Sequence, residues 1–210
     1  MRYQICASGA ASGATVESSH HLAFELGKEI ALAGKTLLTG ATVGLPHYAA
    51  MGFMSVENTK GVSIGFSPAS SFREHVSTYR LPTEEFDYIN FTGMEYVGRD
   101  VHLVRSADAV ITVGGRMGSL HELATALESR KVCGILLGSG GLADYTQVLL
   151  KNIEAPGAKD VIYDSDPKQL VAKVIEALDV RYKDFEHVET TRSRVVNERI
   201  PIPEKTNRRG

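Results

Sequence analysis

Residues 106–126, SADAVITVGGRMGSLHELATA, restrict the fold more than any other stretch of the chain. Ala109-Val110-Ile111-Thr112-Val113 is mostly β-branched and long enough to cross a sheet, the pattern of a buried strand. It breaks into Gly114-Gly115-Arg116-Met117-Gly118-Ser119 and restarts as a predicted helix over Leu120–Glu128. A strand, a glycine turn and a helix N-terminus together make an anion site. Glycines let backbone N–H groups approach a phosphate, and the helix dipole adds partial positive charge. Glu122 falls in the first turn of that helix, which sets a carboxylate beside whatever the loop holds. A plainer role stands next to this one. Ser119-Leu120-His121-Glu122 also fits the S-x-x-E capping box, in which both side chains only satisfy backbone donors.

The same punctuation recurs upstream. Arg2–Ser8 reads as a strand, and the small-residue loop 9–15 leads into a helix over 16–32 with Leu22, Leu26 and Ile30 on one face. Thr36–Thr39 is a second strand, ending in the glycine loop 40–46, with a helix over 47–60 behind it. Val62–Phe66 is a third. Further on, Val132–Leu137 and Val161–Tyr163 read as strands, and 142–153 as a helix. Another helix over 167–178 has Asp166 as N-cap and Pro167 at its first position. Strands alternating with helices through short glycine loops predict βαβ units. The expected fold is a Rossmann-like, doubly wound parallel sheet with helices on both faces, in one domain over residues 1–180. Ligands of such sheets bind beyond the carboxyl ends of the strands. The candidate phosphate-binding residues are therefore Ser8, Gly9, Gly13, Gly40, Gly44, Gly114, Gly115, Gly118 and Ser119.

Two segments do not fit the alternation. Residues 67–98 hold six of the fifteen aromatic residues. They read either as a cover over the ligand edge, with rings for a planar base, or as an excursion with a small core of its own. Residues 181–210 carry eight Lys or Arg against five Asp or Glu, with two prolines and few periodic apolar positions. They form an expected C-terminal tail, mobile or strapped across a partner subunit through Val195, Val196, Ile200 and Ile202.

Composition excludes several classes. With 210 residues, 43% hydrophobic and 23% charged, the chain has an ordinary globular make-up. A net charge of −2 gives no bulk attraction to nucleic acid. Cys6 and Cys133 lie in apolar strand-like runs and read as buried reduced thiols. The histidines show no metal-ligand spacing. No metal and no cofactor is expected. No stretch approaches a membrane span or a leader, and a cytoplasmic location is expected.

The segment from Arg99 to Glu122 resembles the signature of the Lonely Guy family, the cytokinin-activating nucleoside 5′-monophosphate phosphoribohydrolases, long mislabelled as lysine decarboxylases. That family carries Arg-Lys near the start of a helix, then Ser-Asp-Ala and an apolar strand, then Pro-Gly-Gly-Tyr-Gly-Thr-x-x-Glu. In register and without a gap, this chain has Arg99-Asp100, Ala107-Asp108-Ala109 and Gly114-Gly115-Arg116-Met117-Gly118-Ser119-Leu120-His121-Glu122. The family's arginine falls on Arg99, its glutamate on Glu122 and its threonine on Ser119. Gly114 replaces the proline, Arg116 the second glycine, Met117 the tyrosine and Asp100 the lysine. The wider group includes molybdenum-cofactor carrier proteins.

The resemblance implies a hydrolase that cleaves a nucleoside 5′-monophosphate to free base and ribose 5-phosphate. Glu122 and Arg99 would be catalytic. Glu122 would stabilise an oxocarbenium-like state or activate water, and Arg99 would hold a phosphate or ribose hydroxyl or orient Glu122. The alternative is a carrier that holds a nucleotide or a phosphorylated pterin without turning it over. His121, adjacent on the helix, is expected to point elsewhere. The family's homodimers imply a homodimer here, with a small phosphorylated molecule as ligand.

Overall fold

The computed structural model describes residues 3–155 and 157–185. Its seven strands form one sheet in the order β4-β3-β2-β1-β5-β6-β7, and every pairing is parallel. The strands are β1 (Gln4–Gly9), β2 (Thr36–Thr39), β3 (Ser63–Ser67), β4 (Tyr88–Phe91), β5 (Ala109–Val113), β6 (Val132–Leu136) and β7 (Ile162–Asp164). Between and after them run α1 (Ala14–Leu32), α2 (Leu45–Met54), α3 (Phe72–Ser77), α4 (Glu95–Ser106), α5 (Met117–Glu128), α6 (Leu142–Asn152) and α7 (Pro167–Tyr182). The strand order reverses between β1 and β5, and a crevice opens at such a point because successive helices leave for opposite faces.

The two faces of the sheet are read from strand alternation. Ile5 and Ala7 of β1 and Ile111 and Val113 of β5 turn to the side covered by α1, α2 and α7, where Leu26, Phe53 and Val174 complete one core. Cys6 and Val110 turn to the other, where Leu103, Leu123 and Leu150 of α4, α5 and α6 complete the second. Both cysteines are buried free thiols. Burial pushes the Cys133 thiol up to about 12. On the first face α1 and α2 touch backbone to backbone. A Cβ at Gly27 would come 1.8 Å from the Ala49 carbonyl oxygen, and one at Gly52 would come 1.9 Å from that of Phe24. No side chain but hydrogen fits at either place.

The sequence expectations are corrected in four places. Residues 67–98 are not an irregular cover: they supply α3 and the edge strand β4. Their rings touch in pairs, Phe72 and His75 edge-on to Phe91 and Tyr79 edge-on to Tyr96, but Phe72 and Tyr88 stay 60% and 62% exposed and Phe86 packs on the main core, so they make no core of their own. Helix α2 ends at Met54 instead of residue 60, where Ser55 donates its hydroxyl to the Gly52 carbonyl at 2.6 Å and the chain turns away. Helix α5 begins at Met117, a turn earlier than Leu120. Helix α7 runs past Leu178 to Tyr182, whose ring stacks on Tyr3 at 5.9 Å and whose hydroxyl donates to Asp108 at 3.1 Å. Asp166 caps α7 as expected, accepting from the Gln169 amide at 3.0 Å. The tail reading falls, from residue 186 on, outside the described residues. Among the described residues no helix is long and apolar enough to cross a membrane.

Candidate active site

Beyond the carboxyl ends of β1, β2 and β5 lies a cavity of about 330 Å³, at the reversal of strand order. Its wall on one side is the β1–α1 loop from Gly9 to Ser12, with Thr42 and Pro46 from the β2–α2 loop beside it. Helix α4 contributes Tyr96, Arg99 and Asp100. The start of α5 contributes Arg116, Met117, Gly118 and Ser119, and Glu122 follows in its second turn.

The start of α5 decides what the cavity can hold. Arg116 is the N-cap residue, and no side chain caps the helix. The capping-box reading of Ser119 and Glu122 therefore falls: Ser119 already lies inside the first turn. Its hydroxyl is 3% exposed and has no hydrogen-bond partner. The first bond that closes the helix runs from the Leu120 amide to the Arg116 carbonyl at 2.9 Å. The amides of Met117, Gly118 and Ser119 precede it and are left without intrahelical acceptors, as at any helix start. A buried orphan hydroxyl beside three such amides is a phosphate-binding arrangement. A Cβ at Gly118 would meet nothing within 4 Å. The protein's own packing does not require that glycine, and the space over it belongs to the cavity.

Next to this turn, with Glu122 three residues along the same helix from Ser119, sits a buried charge cluster. Arg99, Asp100 and Glu122 are 5%, 5% and 7% exposed. Ser8, at the end of β1, donates its hydroxyl to Glu122 Oε2. Arg99 Nη1 stands 3.8 Å from Glu122 Oε1, and Nη2 stands 3.4 Å from Asp100 Oδ1. These are ion pairs at longer than usual hydrogen-bond range, and Arg99 Nε has no partner at all. The guanidinium keeps donor capacity that the protein does not use. Asp100 and Glu122 thus share one guanidinium, each carboxylate on a different terminal nitrogen. Burial pushes the Glu122 carboxyl up to about 7; Arg99 pulls it down, the Asp100 charge pushes it up, and the Ser8 hydrogen bond works against both raising causes. A carboxyl poised near neutrality can give or take a proton at physiological pH.

The glycine candidates divide by position. Gly40 ends β2 and makes room for Arg99: a Cβ there would lie 1.8 Å from Nη1. Gly9 and Gly40 line the cavity. Gly44, at φ 80°, lies under Ala10, with a Cβ position only 2.5 Å from the Ala10 oxygen. Gly114 and Gly115 lie in the turn beneath the cavity. The Gly114 amide donates to Ser139 Oγ at 2.7 Å, and the two glycine carbonyls accept from Ala143 and Leu142. Gly13 begins α1 close to the Arg116 guanidinium, which donates to Ser12 Oγ at 3.1 Å. Sequence reasoning did not place Arg116, Asp100 or His121, whereas Tyr96, one of the six aromatic residues read as a cover over the ligand edge, does line the cavity. The two departures from the family motif, at 100 and 116, were the signal for the first and second. His121 does not point away from the cluster: its Nδ1 lies 3.1 Å from Asp100 Oδ2.

A family model for the SLOG cluster4 family matches residues 2–171. The chain belongs to the SLOG cluster4 family. No curated protein sequence matches it. Among solved structures it is similar to the molybdenum cofactor binding protein of Rippkaea orientalis, at 27% identity and a TM-score of 0.64, over 85% of this chain and 98% of that one. The molybdenum cofactor carrier protein of Chlamydomonas reinhardtii is 25% identical with a TM-score of 0.67, over 84% and 98%. The structural-genomics protein TM1055 shares the fold, with a TM-score of 0.70 at 20% identity over 84% and 99%. The SLOG cluster4 chain is thus a LOG-like Rossmann-fold protein, as its Arg99–Glu122 segment implied.

Proposed function

We propose that this SLOG cluster4 protein binds a nucleoside 5′-monophosphate and hydrolyses its N-glycosidic bond to free base and ribose 5-phosphate. The observation that carries this reading is the buried pair of Glu122 and Arg99, which lines one cavity of about 330 Å³ together with the open first turn of α5. The 5′-phosphate would lie on the Gly118 and Ser119 amides and the Ser119 hydroxyl. Glu122, held by Ser8, would take a proton from the attacking water and oppose the positive charge that develops on the ribose. Arg99 would donate its free N–H groups to the ribose hydroxyls. Tyr96, half exposed at the cavity wall, would face the base.

A second reading is a carrier that holds a nucleotide or phosphorylated pterin without cleaving it. It is favoured by the Arg116 bridge to Ser12 across the cavity lip and by the likeness to the two molybdenum-cofactor proteins. We further propose a homodimer formed through the outer face of α4 and the start of α5, where Val97 and Met117 are 69% and 77% exposed beside the site. Light scattering that returns a monomer with and without nucleotide would remove it.

The deciding experiment is incubation with a panel of nucleoside monophosphates, assayed for free base and ribose 5-phosphate, with Glu122→Gln as control. Turnover should fall by roughly 100-fold or more in that variant with the fold retained. AMP should raise the melting temperature well above any effect of adenosine, because the open amides at the start of α5 grip only the phosphate. Saturable AMP binding without product selects the carrier.

A further inference from the structure

The start of α5 carries charge of the sign that an empty helix end disfavours. Aligned peptide dipoles place roughly half a positive charge at a helix N-terminus, so acidic groups are favoured there and cations are not. Arg116 is nevertheless the N-cap residue of α5, and the first turn holds no acidic residue. The amides of Met117, Gly118 and Ser119, which follow it, have no intrahelical acceptor. The Arg116 guanidinium is exposed, and its hydrogen bond goes to a neutral group, Ser12 Oγ, at 3.1 Å across the cavity lip. The other charged residues on the cavity wall are already engaged with one another. Arg99 stands between Asp100 and Glu122, one cation against two acids.

We propose that Arg116 is the specificity-determining residue of this site: it leaves Ser12 for the ligand and selects a phosphate monoester over a phosphodiester. A monoester carries close to two negative charges at neutral pH, a diester one. The place for the phosphate is marked by the buried Ser119 hydroxyl, which lacks a partner, and by the empty space over Gly118, where a Cβ would meet nothing within 4 Å. Arg116 stands at the head of the same turn. Amides and a hydroxyl satisfy phosphate oxygens but bring no net charge, and Glu122, three residues beyond Ser119 on the same helix, repels an anion there. Arg99 does not offset this, because both of its terminal nitrogens already face carboxylates. The charge that balances a dianion comes from Arg116, whose planar fork fits two phosphate oxygens at once. Leaving Ser12 costs little, since water readily replaces an exposed bond to a neutral hydroxyl.

The role of Arg116 rests on the reading that places a phosphate at the start of α5, and it holds with or without cleavage. Calorimetry with AMP, its 5′-methyl phosphodiester and adenosine tests it in the Glu122→Gln background, where the proposed hydrolysis is suppressed. Arg116→Met keeps the length of the side chain and removes its charge. It should raise the Kd of AMP by roughly tenfold or more, the scale of a hydrogen bond to a charged group, and change that of the diester far less. Ser12→Ala removes the competing acceptor and should leave AMP affinity equal or higher. A bridge that only holds the lip together predicts instead that both changes weaken all three ligands alike, and that result would overturn the proposal. So would an Arg116→Met protein that prefers AMP to the diester as strongly as before. In that case AMP bound more tightly than adenosine leaves the phosphate reading standing without Arg116, whereas equal binding of AMP and adenosine removes both.

Discussion

Two buried polar clusters stand at carboxyl ends of strands in this sheet, and they are built on opposite terms. At the end of β3, the Ser67 hydroxyl accepts from the Ala69 amide at 3.0 Å and bonds His75 Nδ1 at 2.8 Å. His75 Nε2 donates to the Pro82 carbonyl at 2.9 Å, and neither Ser67 nor His75 is exposed. Both ring nitrogens of His75 and the Ser67 hydroxyl have partners. At the ends of β1 and β2, the cluster of Ser8, Arg99, Asp100 and Glu122 has long ion pairs, an unpartnered Arg99 Nε and, next to it on α5, an orphan Ser119 hydroxyl. A closed cluster stabilises the fold by leaving no buried polar group unpaired, which would cost about 1–3 kcal/mol. An open one keeps that cost in the ligand-free protein and returns it when a ligand supplies the missing partners.

The sharpest way to break the contrast is at Gly40. Gly40→Ala alters no charge and no catalytic group, yet its Cβ would fall 1.8 Å from Arg99 Nη1 and must displace the guanidinium. If the proposed hydrolysis holds, turnover should drop by about 100-fold, the scale for losing a preorganised electrostatic group, with secondary structure by circular dichroism unchanged. An active Gly40→Ala enzyme would show that Arg99 has no fixed role. The closed cluster should respond the other way. His75→Ala takes the acceptor from the buried Ser67 hydroxyl and the donor from the Pro82 carbonyl, and should destabilise the protein by about 1–3 kcal/mol in urea titration, with AMP affinity unchanged. The smallest effect belongs to Ser119→Ala. It would remove the one neutral hydrogen bond proposed from Ser119 to the phosphate, worth about 0.5–1.5 kcal/mol, or roughly a 2- to 10-fold rise in Kd for AMP. The ligand-free melting temperature should hold or rise, because an orphan buried hydroxyl is gone. A fall would mean that Ser119 serves the fold as His75 does.

The closed cluster could not be read from the sequence, because Ser67 and His75 lay in a stretch with no clear period. Each short element there is held by long-range pairing: β4 exists because β3 offers it an edge, with Ile64 to Tyr88 and Ser67 to Phe91 in register. The start of α5 was misplaced for a related reason. A Ser-x-x-Glu spacing fits a cap and an interior turn equally well. The backbone chose the second by turning at Gly114 and Gly115, whose carbonyls are tied to the start of α6.

What the sequence determined by itself was the parallel α/β fold and most of its strands and helices, α3 and β4 excepted, with Arg99 and Glu122 marked out by the family resemblance. Apolar β-branched runs broken by glycine specify buried strands and turns locally, and the Arg99–Glu122 segment carries its motif in one continuous register. What only the tertiary structure decided was which donors remain free. The glycines at 114 and 115 carry the motif, yet the open amides belong to Met117, Gly118 and Ser119. Gly40 serves a guanidinium that comes from 59 positions further along the chain. His121 reaches the cluster because Asp100 on α4 lies against α5. Local sequence fixes conformation, whereas the partners of a buried polar atom are set by whichever distant elements the sheet brings alongside it.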